Sequence, residues 1–169
     1  MKRGLMFLST ITLLLALLGC KESHHYRLVS KEYGFSVDFP EKPIEQSLTN
    51  PHGLPETLWT VLSDRPKEFY SAEATSYKEA TPPTDDWVPN QELLAAVDVQ
   101  TVEHRRFKLR EAATGREVEA IATTSKQLAT GSIFSSIYVL DGQKFIAITA
   151  RTDDASRRAA FLSSLTLLQ

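Results

Sequence analysis

A single cysteine most constrains how this chain can fold. Cys20 follows an uncharged apolar run from Leu5 to Leu18, and no second cysteine occurs among the 169 residues. One cysteine cannot form an internal disulfide, so a stable domain must depend on burying apolar side chains. Hydrophobic residues make up 42% of the chain and charged residues 24%, which is near the globular average and argues against disorder.

The segment before the cysteine has the features of an export signal. A short positive region, Lys2-Arg3, precedes the apolar run. The run is shorter than the length that a transmembrane helix usually needs. The run ends in Leu17-Leu18-Gly19-Cys20, which resembles the lipobox of bacterial lipoprotein precursors. That resemblance implies cleavage between Gly19 and Cys20 and fatty acylation of the cysteine. The alternatives are a plain secretory signal with an incidental cysteine and an uncleaved anchor.

The predicted cleavage sets the organisation of the chain. Removing residues 1–19 from 169 leaves 150, which is the length of one ordinary domain. We predict a lipidated tether over residues 20–27 and a single domain over residues 28–169. In Gram-negative sorting, Lys21 rather than aspartate after the cysteine favours the outer membrane. The expected location is therefore the cell envelope, with the domain facing the periplasm and held to the membrane by lipid on Cys20.

Short alternating stretches typical of strands fill most of the mature sequence. In residues 35–39, apolar side chains alternate with polar ones, which is the two-residue period of a half-buried strand. Asp141-Gly142 is the strongest hairpin signal in the chain. Further strands are predicted at residues 57–62, 69–77, 107–112, 116–125, 132–140 and 144–149.

Two helices are predicted among these strands. Residues 91–104 lose the strand pattern, and their first half favours a helix that begins after an N-cap at Asn90. Asp153-Asp154 is expected to cap a second helix that runs through about Ser163. Runs of antiparallel strands with helices segregated between them indicate an α+β domain.

Three blocks of the mature chain resemble those of a known family. They are Tyr33-Gly34-Phe35-Ser36-Val37-Asp38-Phe39-Pro40-Glu41-Lys42-Pro43, Thr114-Gly115-Arg116-Glu117 and Ala160-Phe161-Leu162-Ser163-Ser164-Leu165-Thr166-Leu167. Together they are similar to blocks of the PsbP-like fold family. The resemblance implies an antiparallel β-sheet flanked by helices on both faces, which is an α/β/α sandwich. It implies no enzyme activity, because known members mostly bind or stabilise other proteins.

The sequence contains no recognisable catalytic or metal-binding motif. The nucleophile elbow Gly-x-Ser-x-Gly and the phosphate-binding Gly-x-x-x-x-Gly-Lys-Ser/Thr are both absent. The histidines do not suggest a ligand set, because His24-His25 lie side by side on the tether, while His52 lies in a turn and His104 in a charged stretch. We therefore expect no enzyme activity, no catalytic residues, no metal and no cofactor.

Basic side chains are concentrated in one stretch of the chain, residues 105–116. If residues 107–112 form a strand, Lys108 and Arg110 share one face while Phe107 and Leu109 point to the core. This basic face is a weak candidate for partner contact. The alternative is a solvated sheet face whose charges are paired by nearby acids. Those acids are Glu103, Glu111, Glu117 and Glu119.

The two tryptophans differ in expected exposure. Trp59 alternates with its strand neighbours and is expected in the core. Trp87 follows Asp85-Asp86 in a proline-rich loop and is the better candidate for partner contact.

These features predict a membrane-anchored, non-catalytic PsbP-like module that binds or stabilises a protein of the cell envelope. A net charge of −2 gives the chain no field that would attract nucleic acid. The alternative is an envelope lipoprotein that binds a small ligand, which would need a concave apolar site of about 300 Å³ or more between sheet and helix. A hydrolase ranks last, because it would need an acid, a base and a nucleophile that converge.

Overall fold

Antiparallel strands account for most of the described structure. The computed structural model describes residues 25–50, 53–63, 68–77 and 98–168. Within these ranges there are ten strands and one helix, α1 (Ala155–Ser163), which lies between the last two strands. The strands are β1 (Tyr26–Ser30), β2 (Phe35–Phe39), β3 (Ile44–Thr49), β4 (Pro55–Leu62), β5 (Phe69–Ser76), β6 (Val99–Arg110), β7 (Glu117–Gln127), β8 (Ile133–Asp141), β9 (Lys144–Arg151) and β10 (Thr166–Leu167).

The strands form two sheets around one core. Seven strands make a large sheet in the order β3-β4-β5-β9-β8-β7-β6, and β1-β2-β10 form a small sheet. Phe35, Val37 and Phe39 of β2 are fully buried, so the small sheet contributes directly to the core. The core lies between one face of the large sheet and a layer made of the small sheet and α1.

Aromatic side chains join these layers. The Phe35 ring meets Trp59 of the large sheet edge-on, with 5.7 Å between ring centroids. Phe161 of α1 contacts both Phe39 and Tyr70, with 5.2 Å between centroids in each pair. The expectation that Trp59 belongs to the core is confirmed, because it is buried.

The predicted α+β architecture is wrong. The described residues contain one helix, which lies on the same face of the large sheet as the small sheet. Among the described residues, helices therefore do not flank the sheet on both faces, and the α/β/α sandwich implied by the PsbP-like resemblance is not observed there. None of the described helices is long and apolar enough to cross a bilayer.

The expected loss of the strand pattern over residues 91–104 is wrong for the second half of that range. β6 begins at Val99 and continues through His104, so residues 99–104 are extended rather than helical. Residues 91–97 and the proposed cap Asn90 lie outside the described ranges. The strand forms because β-branched side chains such as Val99 and Val102 favour extended backbone and because β7 pairs with it from Val99 to Arg110, apart from a bulge between Thr101 and Glu103.

Local turn and cap signals are confirmed. Asp141 pairs with Lys144 across a tight turn at Gly142, as the Asp-Gly dipeptide predicts. Asp154 caps α1, and its side chain accepts hydrogen bonds from the backbone N–H groups of Ser156 and Arg157. The strands that were not predicted include β1, which begins inside the expected tether, and β3.

Candidate functional site

The basic face of β6 has the geometry that the sequence predicted. Lys108 and Arg110 are exposed, whereas Phe107 and Leu109 pack against the core. Both cations are paired with Glu117 on β7, at 2.9 Å from the Lys108 Nζ and 3.8 Å from an Arg110 nitrogen. The hydrogen bond raises the pKa of Lys108 and lowers that of Glu117. This pairing favours a solvated, internally neutralised face over a partner site.

The other predicted site residues either lie outside the described ranges or do not come together with one another in the structure. Trp87, Gly19 and Cys20 belong to ranges that the structure does not describe. The same is true of His24 and His52, while His104 is exposed on β6. Within the described ranges, no three His, Cys, Asp or Glu side chains come together as a metal site would require.

The Gly-Arg-Glu turn has a structural explanation. Arg116 donates hydrogen bonds to both carboxylate oxygens of Asp141, at 2.8 and 2.6 Å, and a further one to Glu111. It therefore ties the β6–β7 turn to the β8–β9 turn. Hydrogen bonds from Arg116 and Thr114 hold the pKa of Glu111 below its usual value. The expectation that glutamates neutralise this basic stretch is confirmed for Glu111.

The two edges of the large sheet differ in how they are protected. β6 forms one edge, and residues 103–110 of that strand carry six charged or titratable side chains. A bulge between Thr101 and Glu103 also interrupts its pairing with β7. Charge and bulges are common protections against unwanted strand pairing. We conclude that β6 is a guarded edge.

β3 forms the other edge and has none of these protections. All six of its residues are exposed, and the strand contains no lysine, no proline and no bulge. Ile44 is 63% exposed and Leu48 is 44% exposed, so two large apolar side chains face solvent beside an edge with which no other described strand pairs. The single charge, Glu45, accepts a hydrogen bond from Trp59 Nε1 at 2.7 Å and is therefore directed back toward the core. We call the outward side of β3 the open edge.

The register identifies which backbone groups the open edge presents. In an antiparallel pair, alternate residues bond to the neighbouring strand and the residues between them point away. The Asn50 N–H donates to the Leu54 carbonyl at 2.9 Å, so Asn50 belongs to the bonded series, which reaches Ile44 in steps of two. The outward-pointing N–H and C=O groups belong to the remaining residues of the strand: Glu45, Ser47 and Thr49.

Local sequence features build the hairpin that carries the open edge. Pro43 ends the link from β2, and Asn50 organises the turn into β4 by accepting a hydrogen bond from the Leu54 N–H at 3.0 Å. Gly53 adopts a φ of +75°, which glycine tolerates and most other residues do not. The sequence places His52 in a turn, but it gives no comparable signal for β3, the strand before that turn.

A cleft lies where the small-ligand alternative required a pocket. It is bounded by α1 on one side and by β6, β7 and β8 on the other, and its volume is about 260 Å³. Charged and hydroxyl side chains line much of it, including Arg105, Arg158 and Ser135. The cleft is therefore smaller and more polar than the apolar pocket that this alternative described.

One carboxyl group outside these surfaces is strongly perturbed. Glu73 of β5 lies opposite Leu58 on one side and Ala147 on the other, on the face of the large sheet away from the core. Burial, followed by the nearby carboxylate of Glu56, raises the pKa of Glu73 from 4.5 to about 7. The same causes, with Glu73 itself, raise the pKa of Tyr77.

No protein-family model matches this chain. No curated protein is significantly similar to it. Its function must therefore be inferred from the sequence features and surfaces described above.

Proposed function

We propose that this chain is a lipid-anchored, non-catalytic module of the bacterial cell envelope that binds a partner protein by strand addition at β3. The observation that carries the proposal is the open edge. An extended segment of a partner can bond to the outward groups of Glu45, Ser47 and Thr49, and backbone bonds of this kind supply affinity. Ile44 and Leu48 lie between these positions and give the partner apolar side chains to recognise.

The contrast between the two sheet edges supports this assignment. An unguarded edge promotes aggregation unless something covers it, and β6 shows that this fold guards an edge by charge and a bulge. β3, in the same sheet, exposes two large apolar side chains, Ile44 and Leu48, and has no lysine and no bulge. The difference is understandable if β3 is covered by a partner while the protein works.

The proposed anchor restricts where that partner can be. Five residues separate Cys20 from Tyr26 at the start of β1. A fully extended chain spans about 3.5 Å per residue, so a lipid on Cys20 would hold β1 within about 20 Å of the bilayer. Tyr26 pairs with Phe39 at the end of β2, and only four residues link Phe39 to Ile44. The Ile44 end of the open edge would therefore lie close to the membrane.

Site-specific crosslinking tests the proposed edge. Ser47→Cys places a thiol in the middle of the open edge, and acylation of Cys20 would leave it as the only free thiol of the mature chain. Gln100→Cys, on the guarded edge, is the matched control. In intact cells, a short thiol-to-amine crosslinker should give a discrete heavier species with Ser47→Cys and not with Gln100→Cys. Equal adducts from both variants, or none, would contradict the proposal, and an adduct of twice the chain mass would indicate self-pairing instead.

A proline substitution tests the hydrogen bonding itself. Ser47→Pro removes one outward N–H but no bond to β4, and proline is tolerated on edge strands. We expect recovery of the partner to fall about fivefold or more, since a hydrogen bond is worth about 1 kcal/mol. Ser47→Ala keeps the N–H and should bind normally. Unchanged recovery with Ser47→Pro would exclude strand addition at this position.

A further inference from the structure

The cleft beside α1 is an unfilled part of the layer interface. Its walls come from the core-facing side of β6–β8 and from one side of α1. Two of the side chains that line it are small: Ala122 of β7, which is partly buried, and Ala159 of α1, which is exposed. We call this space the α1 cleft, and its lining includes Glu103, Arg105, Thr124, Ser135, Arg158 and Leu162.

Two arginines in the α1 cleft lack acidic partners. The described ranges contain eight arginines, and five of them form ion pairs with carboxylates: Arg27, Arg106, Arg110, Arg116 and Arg157. The other three form none, and two of those three, Arg105 and Arg158, line the α1 cleft. In a protein that pairs most of its guanidinium groups, two unpaired ones at the same cavity indicate an external anion.

Both guanidinium groups are held in place by weaker contacts. Arg105 lies over the Phe107 ring, with 5.5 Å between its guanidinium carbon and the ring centroid. Arg158 donates to the backbone carbonyl of Thr152. A guanidinium has five N–H donors, so each arginine is positioned and still has donors for a ligand.

Two hydroxyl groups complete the donor set. Thr124 and Ser135 are direct partners across the β7–β8 pair, so their side chains lie next to each other on the same face. Within the described ranges neither hydroxyl has a hydrogen-bond partner, and Ser135 is buried. Neither hydroxyl oxygen is fully shielded from solvent, so both are available to an oxygen acceptor bound in the cleft.

One acid at the same cavity limits the charge of the ligand. Glu103 lies two residues from Arg105 on β6 and forms no ion pair with it. Its carboxylate would repel a highly charged anion but would tolerate one negative charge held by two arginines. The cavity of about 260 Å³ is far larger than the space of about 10 to 15 Å³ that one water molecule needs by the same measure, so it has room for a small organic molecule. Ala122, Ala159 and Leu162 would contact the apolar part of such a molecule.

We propose that the α1 cleft binds a small monocarboxylate with a short apolar body. Arg105, Arg158 and the hydroxyls of Thr124 and Ser135 hold the carboxylate. The α1 cleft does not include β3. Binding of the carboxylate can therefore be tested separately from binding of a partner at the open edge.

A calorimetric titration tests the proposal. Butyrate is added to the full lipidated chain in detergent micelles, and empty micelles are the blank. We expect saturable binding of one butyrate per chain. Arg105→Gln should weaken it about tenfold or more, because a charge-assisted hydrogen bond is lost. Arg110→Gln is the matched control, since it removes the same charge from the opposite face of the same strand, and it should bind within twofold of the unaltered chain.

A second variant fills the cavity without removing charge. Ala159→Leu keeps a good helix former in α1 and should abolish butyrate binding while circular dichroism and the melting temperature stay close to those of the unaltered chain. Three results would overturn the proposal: no saturable butyrate binding, equal weakening by Arg105→Gln and Arg110→Gln, or inorganic phosphate binding as tightly as butyrate. The last result would show a generic anion site.

Discussion

Glu73 gives the molecule a pH response at the scale of a single residue. Its pKa is about 7 in the folded chain and near 4.5 when burial is removed. Between these values the folded state holds a proton that the unfolded state has released, so the free energy of unfolding falls as pH rises from about 4.5 to about 7. Above pH 7 both states are ionised and this contribution no longer changes. Tyr77 and Glu56 belong to the same charged neighbourhood.

Replacing Glu73 tests this response. Glu73→Gln cannot ionise, so we expect it to raise the free energy of unfolding at pH 8 by about 1 to 3 kcal/mol relative to its effect at pH 5, since one pKa unit corresponds to about 1.4 kcal/mol. Urea denaturation at both pH values measures the difference. Glu56→Gln should produce a smaller change in the same direction, because it removes only the second cause of the shift. A Glu73→Gln effect that is equal at pH 5 and pH 8 would contradict the assigned pKa.

Single-residue predictions from sequence succeeded where the two-residue period of a strand decides the outcome. The opposite orientations of Lys108 and Phe107 follow from their positions on one strand, and pairing of the basic stretch with Glu117 was weighed as an alternative. The environment of Glu73 was not foreseen, because it depends on Leu58 and Ala147, which come from distant parts of the chain.

At the scale of elements, features that depend on neighbouring residues were predicted correctly. The two strands at the edges of the large sheet were not. The Asp141-Gly142 hairpin and the Asp154 cap depend on neighbouring residues, and both are confirmed. β3 was missed because its polar, fully exposed sequence lacks the alternation that marks a half-buried strand. The first half of β6 was not predicted as a strand because pairing with β7, rather than local propensity, determines its conformation.

The cap of α1 offers a direct test at this scale. Asp154→Ala removes an acceptor for two backbone N–H groups, at 2.9 and 3.2 Å, and should lower the free energy of unfolding by about 1 kcal/mol. Asp153→Ala is the matched control, because Asp153 is exposed and accepts neither of these bonds, so we expect a smaller loss. Thermal or urea denaturation measures both. Equal losses would mean that general charge near the helix start matters more than the cap.

At the scale of the whole molecule, the sheet order determines the candidate site, and the sequence does not reveal that order. β5 pairs with β9 although Phe69 and Arg151, which face each other, are far apart in sequence. That non-local pairing joins β3-β4-β5 to β9-β8-β7-β6 in one open sheet, and it leaves β3 and β6 at the two edges. Strand periodicity could predict most of the strands, but neither the layers nor the open edge, because both depend on which strands become neighbours.

The proposed membrane anchor also belongs to the scale of the whole molecule, because it would determine where the open edge can act. Cys20 lies outside the described ranges, so its modification is a proposal from the Leu17-Leu18-Gly19-Cys20 pattern. Intact-mass spectrometry of the protein purified from bacterial membranes tests it most directly. We predict a chain that begins at Cys20 and carries the added mass of a diacylglyceryl group and an amide-linked fatty acid. A chain that begins at Cys20 with a free thiol, or one that retains residues 1–19, would contradict the account.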